Sequence, residues 1–406
     1  MNPSGGGFGH AERPRTAPSA GDVLDHIRSG RATTRGDLVA MTGLGRATVA
    51  QHLDALMARR LVSEDGHRSS TGGRPAGRLV FNHEAGVVLS ADLGATHTSV
   101  GVTDLAGTPL AQLTADLDIA SGPEAALDWV LARFDEVLAE AGRDAGEVRG
   151  VGIGVPGPVE HVTGRPVNPP IMPGWDGFPI PERVAAAYDV PVLVDNDVNI
   201  MAIGEYVRHY RYRVEHLVYI KVGTGIGSGI VANGSIHRGA DGAAGDIGHI
   251  QLSGHQDAVC RCGNRGCLEA VAGGGAMAAT LARLGHETAN SRDVVRLARA
   301  GEADAVQLVR DAGRLLGEVL AAVVSFFNPR VIVVGGDVAH AGDSLLAGVR
   351  EGVYTRSLPL ATRDLRIARA LLDDAAGVIG AATMVIEHVM SPDVVDRAVS
   401  PRAAGA

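Results

Sequence analysis

Leu217-Val-Tyr-Ile-Lys221-Val-Gly223-Thr-Gly225-Ile-Gly227-Ser-Gly-Ile-Val-Ala232 is an apolar run, a glycine-spaced turn and a second apolar run. It reads as a strand over Leu217–Val222, a tight turn, and a strand over Ser228–Ala232. Without a Cβ, glycine lets backbone N–H groups close on phosphate oxygens. One such turn is usually only a hairpin. The same shape, however, occurs about 130 residues earlier. There Val87–Asp92 is apolar, Leu93-Gly94-Ala95-Thr96 turns, and Ser99–Thr103 runs on as a strand. Two matching strand–glycine–strand units predict two related lobes. Gly94 and Thr96 in one turn, and Gly223, Thr224 and Gly225 in the other, would line a phosphate-binding cleft between them.

Further along, Leu308, Ala312, Leu315, Leu316, Val319, Leu320, Val323 and Phe327 keep a helical period over Asp304–Phe327. Asn328-Pro329 ends that helix. Val331–Val334 reads as a buried strand. The Gly335-Gly336 pair after it can pack against a nucleotide or serve plain helix–strand packing.

The chain as a whole has 406 residues, 45% hydrophobic and 20% charged, with a net charge of −9. This composition excludes a wholly disordered protein, and the length calls for more than one hydrophobic core. The 55 glycines follow no collagen-like period and belong to turns and close backbone approaches. No apolar run is long enough for a membrane span, and the first residues lack a signal peptide's apolar core. A cytoplasmic protein is expected. Residues 1–19 read as a disordered tail. A single lysine, Lys221, against 36 arginines reads as codon bias rather than chemistry.

Charge is unevenly spread. Residues 1–81 carry 11 arginines against seven acidic residues, whereas the remainder is strongly acidic. A basic segment on an acidic body suggests a nucleic-acid module. Val23, Leu24 and Ile27 stripe a first helix over residues 20–29. Thr34 and Asp37 fit a capping box for a second helix ending at Thr42. Gly43-Leu44-Gly45 turns. A third helix buries Val49, Leu53 and Leu56 and turns Arg46, Thr48, Gln51 and His52 outward. Leu61-Val62 and Leu79-Val80-Phe81 flank a polar loop over Ser63–Arg78. The whole predicts a winged helix-turn-helix over residues 20–81. Within the loop, Arg74 between Gly73 and Pro75 suits a narrow minor groove.

Three cysteines, Cys260, Cys262 and Cys267, cluster within eight positions. With no export signal they argue for a metal rather than disulfides. His249 completes a Cys3His set of the kind zinc takes in structural sites. Four protein ligands leave no position for a reactive water, so the ion would fix a loop.

Five ordered motifs then resemble the ROK family of repressors, uncharacterised proteins and sugar kinases, over about residues 85–390. They are Asp92-Leu-Gly94-Ala-Thr96, Val194-Asp-Asn196-Asp197-Val-Asn199, Gly223-Thr-Gly225-Ile-Gly227, Gly245-Asp246-Ile-Gly-His249 and Cys260-Arg-Cys262-Gly-Asn-Arg-Gly-Cys267-Leu-Glu269. The resemblance implies an α/β, two-lobed, actin/hexokinase-like (ribonuclease H-like) body behind the winged helix-turn-helix. Its lobes would span 82–200 and 201–390, with a zinc-binding loop at 249–269 and a flexible tail at 391–406. It further implies that Asn196, Asp197, Asp246, His249 and Glu269 bind a sugar. Asp197 would be the general base of a kinase, and Asp92 with the glycine turns would hold Mg–ATP if kinase activity is retained. Asp197 can equally cap a helix over Asn199–Tyr210. Two departures stand out. Asp246 replaces the kinases' usual glutamate, and Ile171-Met172 precedes Pro173-Gly174-Trp175, leaving Asn168 as the nearest asparagine.

The expected function is therefore a sugar-responsive regulator. It would bind a palindromic double-stranded operator as a homodimer or dimer of dimers, with no membrane association. An ATP-dependent sugar kinase carrying a DNA-binding module is the alternative.

Overall fold

The structure is a computed structural model that describes residues 17–65 and 77–400. It forms two compact units, one of residues 1–85 with 387–406 and one of residues 86–386. Each is built from its own segments as follows.

In the smaller unit, α1 (Ala20–Arg28), α2 (Arg35–Thr42) and α3 (Arg46–Ala58) precede β1 (Val62–Asp65) and β2 (Arg78–Phe81). Thr34 caps α2 as expected, its hydroxyl accepting the Asp37 N–H at 3.1 Å while Asp37 accepts the Thr34 N–H at 2.9 Å. Gly43 closes α2 in the left-handed region. The strands pair antiparallel from Val62 opposite Phe81 to Asp65 opposite Arg78, extending into the stretch read as loop. Arg74 and the centre of that loop, like residues 1–16 of the expected N-terminal tail, lie outside the described residues.

The expected flexible tail at 391–406 is corrected over Pro392–Val399, which form a helix in this unit. Here Gly21 N–H donates to Asp396 Oδ1 at 2.8 Å. A Cβ on Gly21 would lie 2.4 Å from Pro392 Cα, so only glycine admits the helix at that distance. Arg28 adds an ion pair to Glu387 at 2.9 Å. The tail sequence gave little sign of this because its partner is α1, several hundred residues away.

The larger unit contains two five-stranded sheets. The first uses β3 (Val87–Leu93), β4 (His97–Asp104), β5 (Pro109–Asp116), β6 (Val148–Val155) and, after a short β7–β8 hairpin (Val159–Glu160, Arg165–Pro166), β9 (Val192–Asn196). Helices α4 (Pro123–Glu140) and α5 (Ile180–Tyr188) make its crossovers, and α6 (Asp197–Glu205) follows it. The second uses β10 (Leu217–Val222), β11 (Ile226–Ala232), β12 (Ser235–His237), β13 (Val331–Gly335) and β14 (Arg366–Arg369). Between β12 and β13 come α7 (Leu268–Ala272), α8 (Gly274–Arg283), α9 (Ser291–Arg299) and the long α10 (Ala303–Phe327). Then α11 (Ser344–Arg356) and α12 (Pro359–Thr362) lead to β14, and α13 (Ala375–Val389) and α14 (Pro392–Val399) end the chain.

The strand orders match: β5-β4-β3-β6-β9 and β12-β11-β10-β13-β14. In both, the first strand pairs antiparallel with its hairpin partner and parallel with the crossover strand. The two-lobed α/β fold expected from the repeated turns is the observed one. Trp175 and Phe134 fill the first lobe's core, and α10 lies in the second's.

Helices α6 and α13 lie side by side between the sheets. Ala202 and Val198 of α6 rest on Gly229 and Gly227 of β11, and Ala381 of α13 rests on Gly152 of β6. A Cβ on Gly380 would come within 1.7 Å of the Ile200 carbonyl, so these two helices meet backbone to backbone. No single helix among the described residues is long and apolar enough to cross a membrane.

Candidate functional site

The strand ends, both glycine turns and the start of α6 converge on one cleft of about 760 Å³ in the larger unit. It is lined by Asp92, Gly94, Thr96, Asn196, Asp197, Gly223, Thr224, Gly225, Asp246, His249, Glu269 and Gly336, all expected from sequence. Gly335 is corrected. It is buried in β13, and a Cβ there would strike the Tyr219 hydroxyl at 2.1 Å, so this glycine serves packing.

The start of α6 also corrects the capping expectation. The helix runs Asp197–Glu205, and its cap is Asn196, whose Oδ1 accepts the Val198 N–H at 2.9 Å and the Asn199 N–H at 3.3 Å. Asn196 Nδ2 donates to the Gly157 carbonyl at 3.1 Å. Its side chain is thus occupied in shaping the cleft wall. Asp197, the first residue of the helix, accepts the Val198 N–H on Oδ1 at 2.9 Å and lines the cleft, with only 6% of its side chain exposed.

Asp195 just before it is held by three donors: the Asn196 N–H at 2.7 Å, Asn199 Nδ2 at 2.8 Å and Arg238 Nε at 2.7 Å. Sequence reading missed this cluster, because Arg238 comes from a distant loop.

On the other wall Glu269, at the start of α7, accepts the Ile226 N–H at 3.0 Å. The contact depends on Gly225, where a Cβ would overlap Glu269 Oε2. Asp246 remains half exposed, 4.0 Å from His249 Nε2. The other nitrogen of His249, Nδ1, lies 3.5 Å from Cys260 Sγ, and Cys262 Sγ lies 3.7 Å from Cys267 Sγ. The four ligand atoms of His249, Cys260, Cys262 and Cys267 all fall within 4.8 Å of one another, close enough to share a metal ion. His249 therefore has one nitrogen toward the cysteines and one toward the cleft. Burial pushes the Cys267 thiol up to about 12, a cost that a cation among the sulfurs would reverse.

The residue sequence reading set aside is Lys221. Its Nζ bonds Asp197 Oδ2 at 2.6 Å, with 17% of the lysine side chain exposed. Burial alone would depress its ammonium, yet the Asp197 and Asp92 carboxylates outweigh burial and hold it above the ordinary lysine range. Asp92 faces it with Oδ1 sealed from solvent and without a hydrogen-bond partner. Burial lifts the Asp92 carboxyl to about 7, against the opposing pull of Lys221. Burial and then the Lys221 charge hold His97, beside the first turn, below the usual histidine range. The signal that could have found Lys221 was its solitude: among 36 arginines, the one lysine stands at a strand end just before a glycine turn.

In the smaller unit, Arg46 and Gln51 on α3 are exposed, and Thr48 and His52 are half-buried beside the buried Val49 and Leu53. The helix thus has the polar outer face expected of it.

Comparison with known proteins matches the model described as "ROK family" over residues 88–388. The chain is 32% identical over 387 residues to a putative xylose repressor of Caldicellulosiruptor sp. (strain Rt8B.4), covering 92% of this chain and 96% of that protein. It is 31% identical to a glucokinase of Thermotoga maritima, covering 74% of this chain and 98% of that one. Among solved structures, a ROK family transcriptional regulator homologous to the E. coli MLC protein superposes with a TM-score of 0.77 at 27% identity, over 94% of this chain and 98% of its own. A ROK family glucokinase from Streptomyces griseus, in complex with glucose and AMPPNP, superposes at 0.62 with 28% identity, over 74% and 99%.

Proposed function

The chain belongs to the ROK family, and from that premise we propose that it is a sugar-responsive transcriptional repressor, releasing or tightening on its operator when a sugar fills the cleft. The observation that carries this reading is one of coverage. The repressor relative spans 92% of this chain, whereas the glucokinases match about three quarters of it. What repressors add is a DNA-binding unit, and here residues 20–81 form three helices and a hairpin with a polar-faced α3.

In that unit Arg46, Thr48, Gln51 and His52 enter the major groove, Arg46 reaching a base or a phosphate, and Arg74 reads the minor groove. Two copies of the chain present two such helices to a palindromic operator in the cytoplasm. In the cleft Asp197, Asp246, His249 and Glu269 accept and donate hydrogen bonds to neighbouring sugar hydroxyls. Asn196 contributes by holding α6 in place. A pentose is the first candidate, since xylose repressors are among the relatives. Zinc suits the cysteine cluster. A Zn–S distance of about 2.3 Å gives a tetrahedral S···S edge of roughly 3.8 Å, and the Cys262–Cys267 separation is 3.7 Å. With four ligands the ion holds the loop that carries His249 and precedes Glu269.

The kinase reading keeps one observation in its favour. Asp92, Asp197 and both glycine turns line the same cleft, as binding Mg–ATP beside a sugar requires.

The test is fluorescence anisotropy of the chain on DNA from its own upstream region, with D-xylose or D-glucose added. Binding that weakens steeply with salt, and shifts at least 10-fold with one sugar, is expected. Driving the operator from nearly full to nearly empty requires about 10⁴-fold preference for one state. No salt-sensitive DNA binding, together with sugar-dependent ADP release, would make the chain a kinase instead.

A further inference from the structure

The two sheets repeat one another closely enough to align the ends of β3 and β10. Asp92-Leu93-Gly94 ends β3, and Lys221-Val222-Gly223 ends β10. Asp92 lies opposite Ser99 in the hairpin and Gly154 in the crossover strand. Lys221 lies opposite Gly227 and Gly335 in the same two ways. The two side chains are structural equivalents of opposite charge that meet in one cleft. Both side chains line the cleft: Asp92 fills the space beside Gly377, where a Cβ would overlap its Oδ2, and Lys221 reaches across to Asp197.

The position of the ammonium bears on chemistry. In phosphoryl transfer to a sugar, the hydroxyl O–H bond breaks and its proton passes to a carboxylate. The oxygen bonds the γ-phosphorus, and the β,γ-bridging P–O bond breaks with its electron pair leaving on ADP. Asp197 is the carboxylate at that place. An ammonium 2.6 Å away in a largely buried site occupies Asp197 Oδ2, while the Val198 N–H donates to Oδ1 at 2.9 Å. A carboxylate with a donor on each oxygen is fixed in place, and a hydroxyl proton arriving there must compete with donors already bound. The same cation stands between Asp197 and Asp92, where the positive charge of a metal–nucleotide would be needed.

We propose that Lys221 is a positioning residue that converts the cleft from a phosphorylating site to a receptor: it pins Asp197 as a fixed acceptor for a sugar hydroxyl and supplies internally the positive charge a metal–nucleotide would bring. This rests on the reading of the cleft as a sugar site. Arginine would not substitute, since its planar fork is longer and needs partners in a plane. That accords with a chain that uses arginine 36 times and lysine here alone.

The test uses the full chain as wild type, Lys221→Thr, Asp197→Asn and the double variant. ADP release is followed with Mg–ATP and D-glucose or D-xylose, and sugar binding by calorimetry. Wild type should bind sugar yet release ADP no faster than Asp197→Asn. Lys221→Thr should release it at least 10-fold faster than wild type, and the double variant should lose the gain. Removing Lys221 leaves two carboxylates facing each other, so a measurement on the intact protein accompanies it. With lysine isotopically labelled, the single Lys221 NMR signal should move on Asp197→Asn and again on sugar binding. Turnover by wild type that depends on Asp197, a Lys221 signal indifferent to Asp197→Asn, or a folded Lys221→Thr that binds sugar without gain would each overturn the proposal. Failure of every sugar to bind wild type would overturn the sugar-site reading and this inference with it.

Discussion

The two sheets of the larger unit share strand order and pairing direction, yet they have diverged at the cleft. The first repeat contributes an acid, Asp92, and a short turn that closes on itself: the Gly94 N–H donates to the His97 carbonyl at 2.8 Å. The second contributes a base, Lys221, and a turn whose Gly225 is covered by Glu269. The first repeat passes from its hairpin straight to α4 and β6. The second inserts the cysteine loop and four helices before β13. The backbone pattern, set by strand pairing, tolerates change poorly. Side chains that face the cleft can change without altering the backbone pairing and are free to specialise. The repeated strands thus frame the cleft from both sides, and the second half adds the cysteine loop and the Glu269 contact.

Substitutions can break this asymmetry one piece at a time. The largest effect is expected at Gly225→Ala, where the new Cβ overlaps Glu269 Oε2 and displaces it from the Ile226 N–H. An unmade buried hydrogen bond costs about 1–3 kcal/mol, so sugar affinity measured by calorimetry should fall 10-fold or more. Unchanged affinity would show that the second turn does not position Glu269 for ligand. Cys262→Ser tests the inserted loop. It should release the metal, detectable with a chromogenic chelator, and weaken sugar binding several-fold through His249 and Glu269. Operator binding by the separate smaller unit should persist, and its loss would place the metal's role elsewhere.

The smallest effect concerns Asp92, the first repeat's counterpart to Lys221. Its folded pKa, lifted to about 7 by burial, lies above that of an unfolded aspartate. The folded state therefore holds the proton more tightly. Stability conferred by Asp92 is greatest below pH 4, declines between about pH 4 and 7, and is level above that. Asp92→Asn should flatten this slope, raising the melting temperature by a few degrees at pH 8 and leaving it unchanged at pH 4. A pH profile of melting identical to wild type would show that Asp92 is not the group responsible.

Much of this architecture was legible from local patterns. The strand–glycine–strand repeats, the Thr34–Asp37 capping box and the Gly43–Gly45 turn each write their structure into a few neighbouring residues. The cysteine spacing did the same for the cysteine–histidine cluster, including His249 eleven positions upstream. What the patterns missed depends on partners far apart in sequence. The docking of α14 on α1 spans a separation of 375 residues in the Gly21–Asp396 bond. The ion pair of Arg238 with Asp195 spans 43, and that of Lys221 with Asp197 spans 24.

The sequence by itself determined most of the elements and most of the residues that face the cleft, because helix caps, turn glycines and strand alternation act within a few residues. It could not assign a role to Lys221, and it offered Asp197 where Asn196 is the cap of α6. Those outcomes were set by tertiary structure alone. Charge and hydrogen bonding act through space at a few ångströms, and only the folded sheets bring the end of β10 to the start of α6.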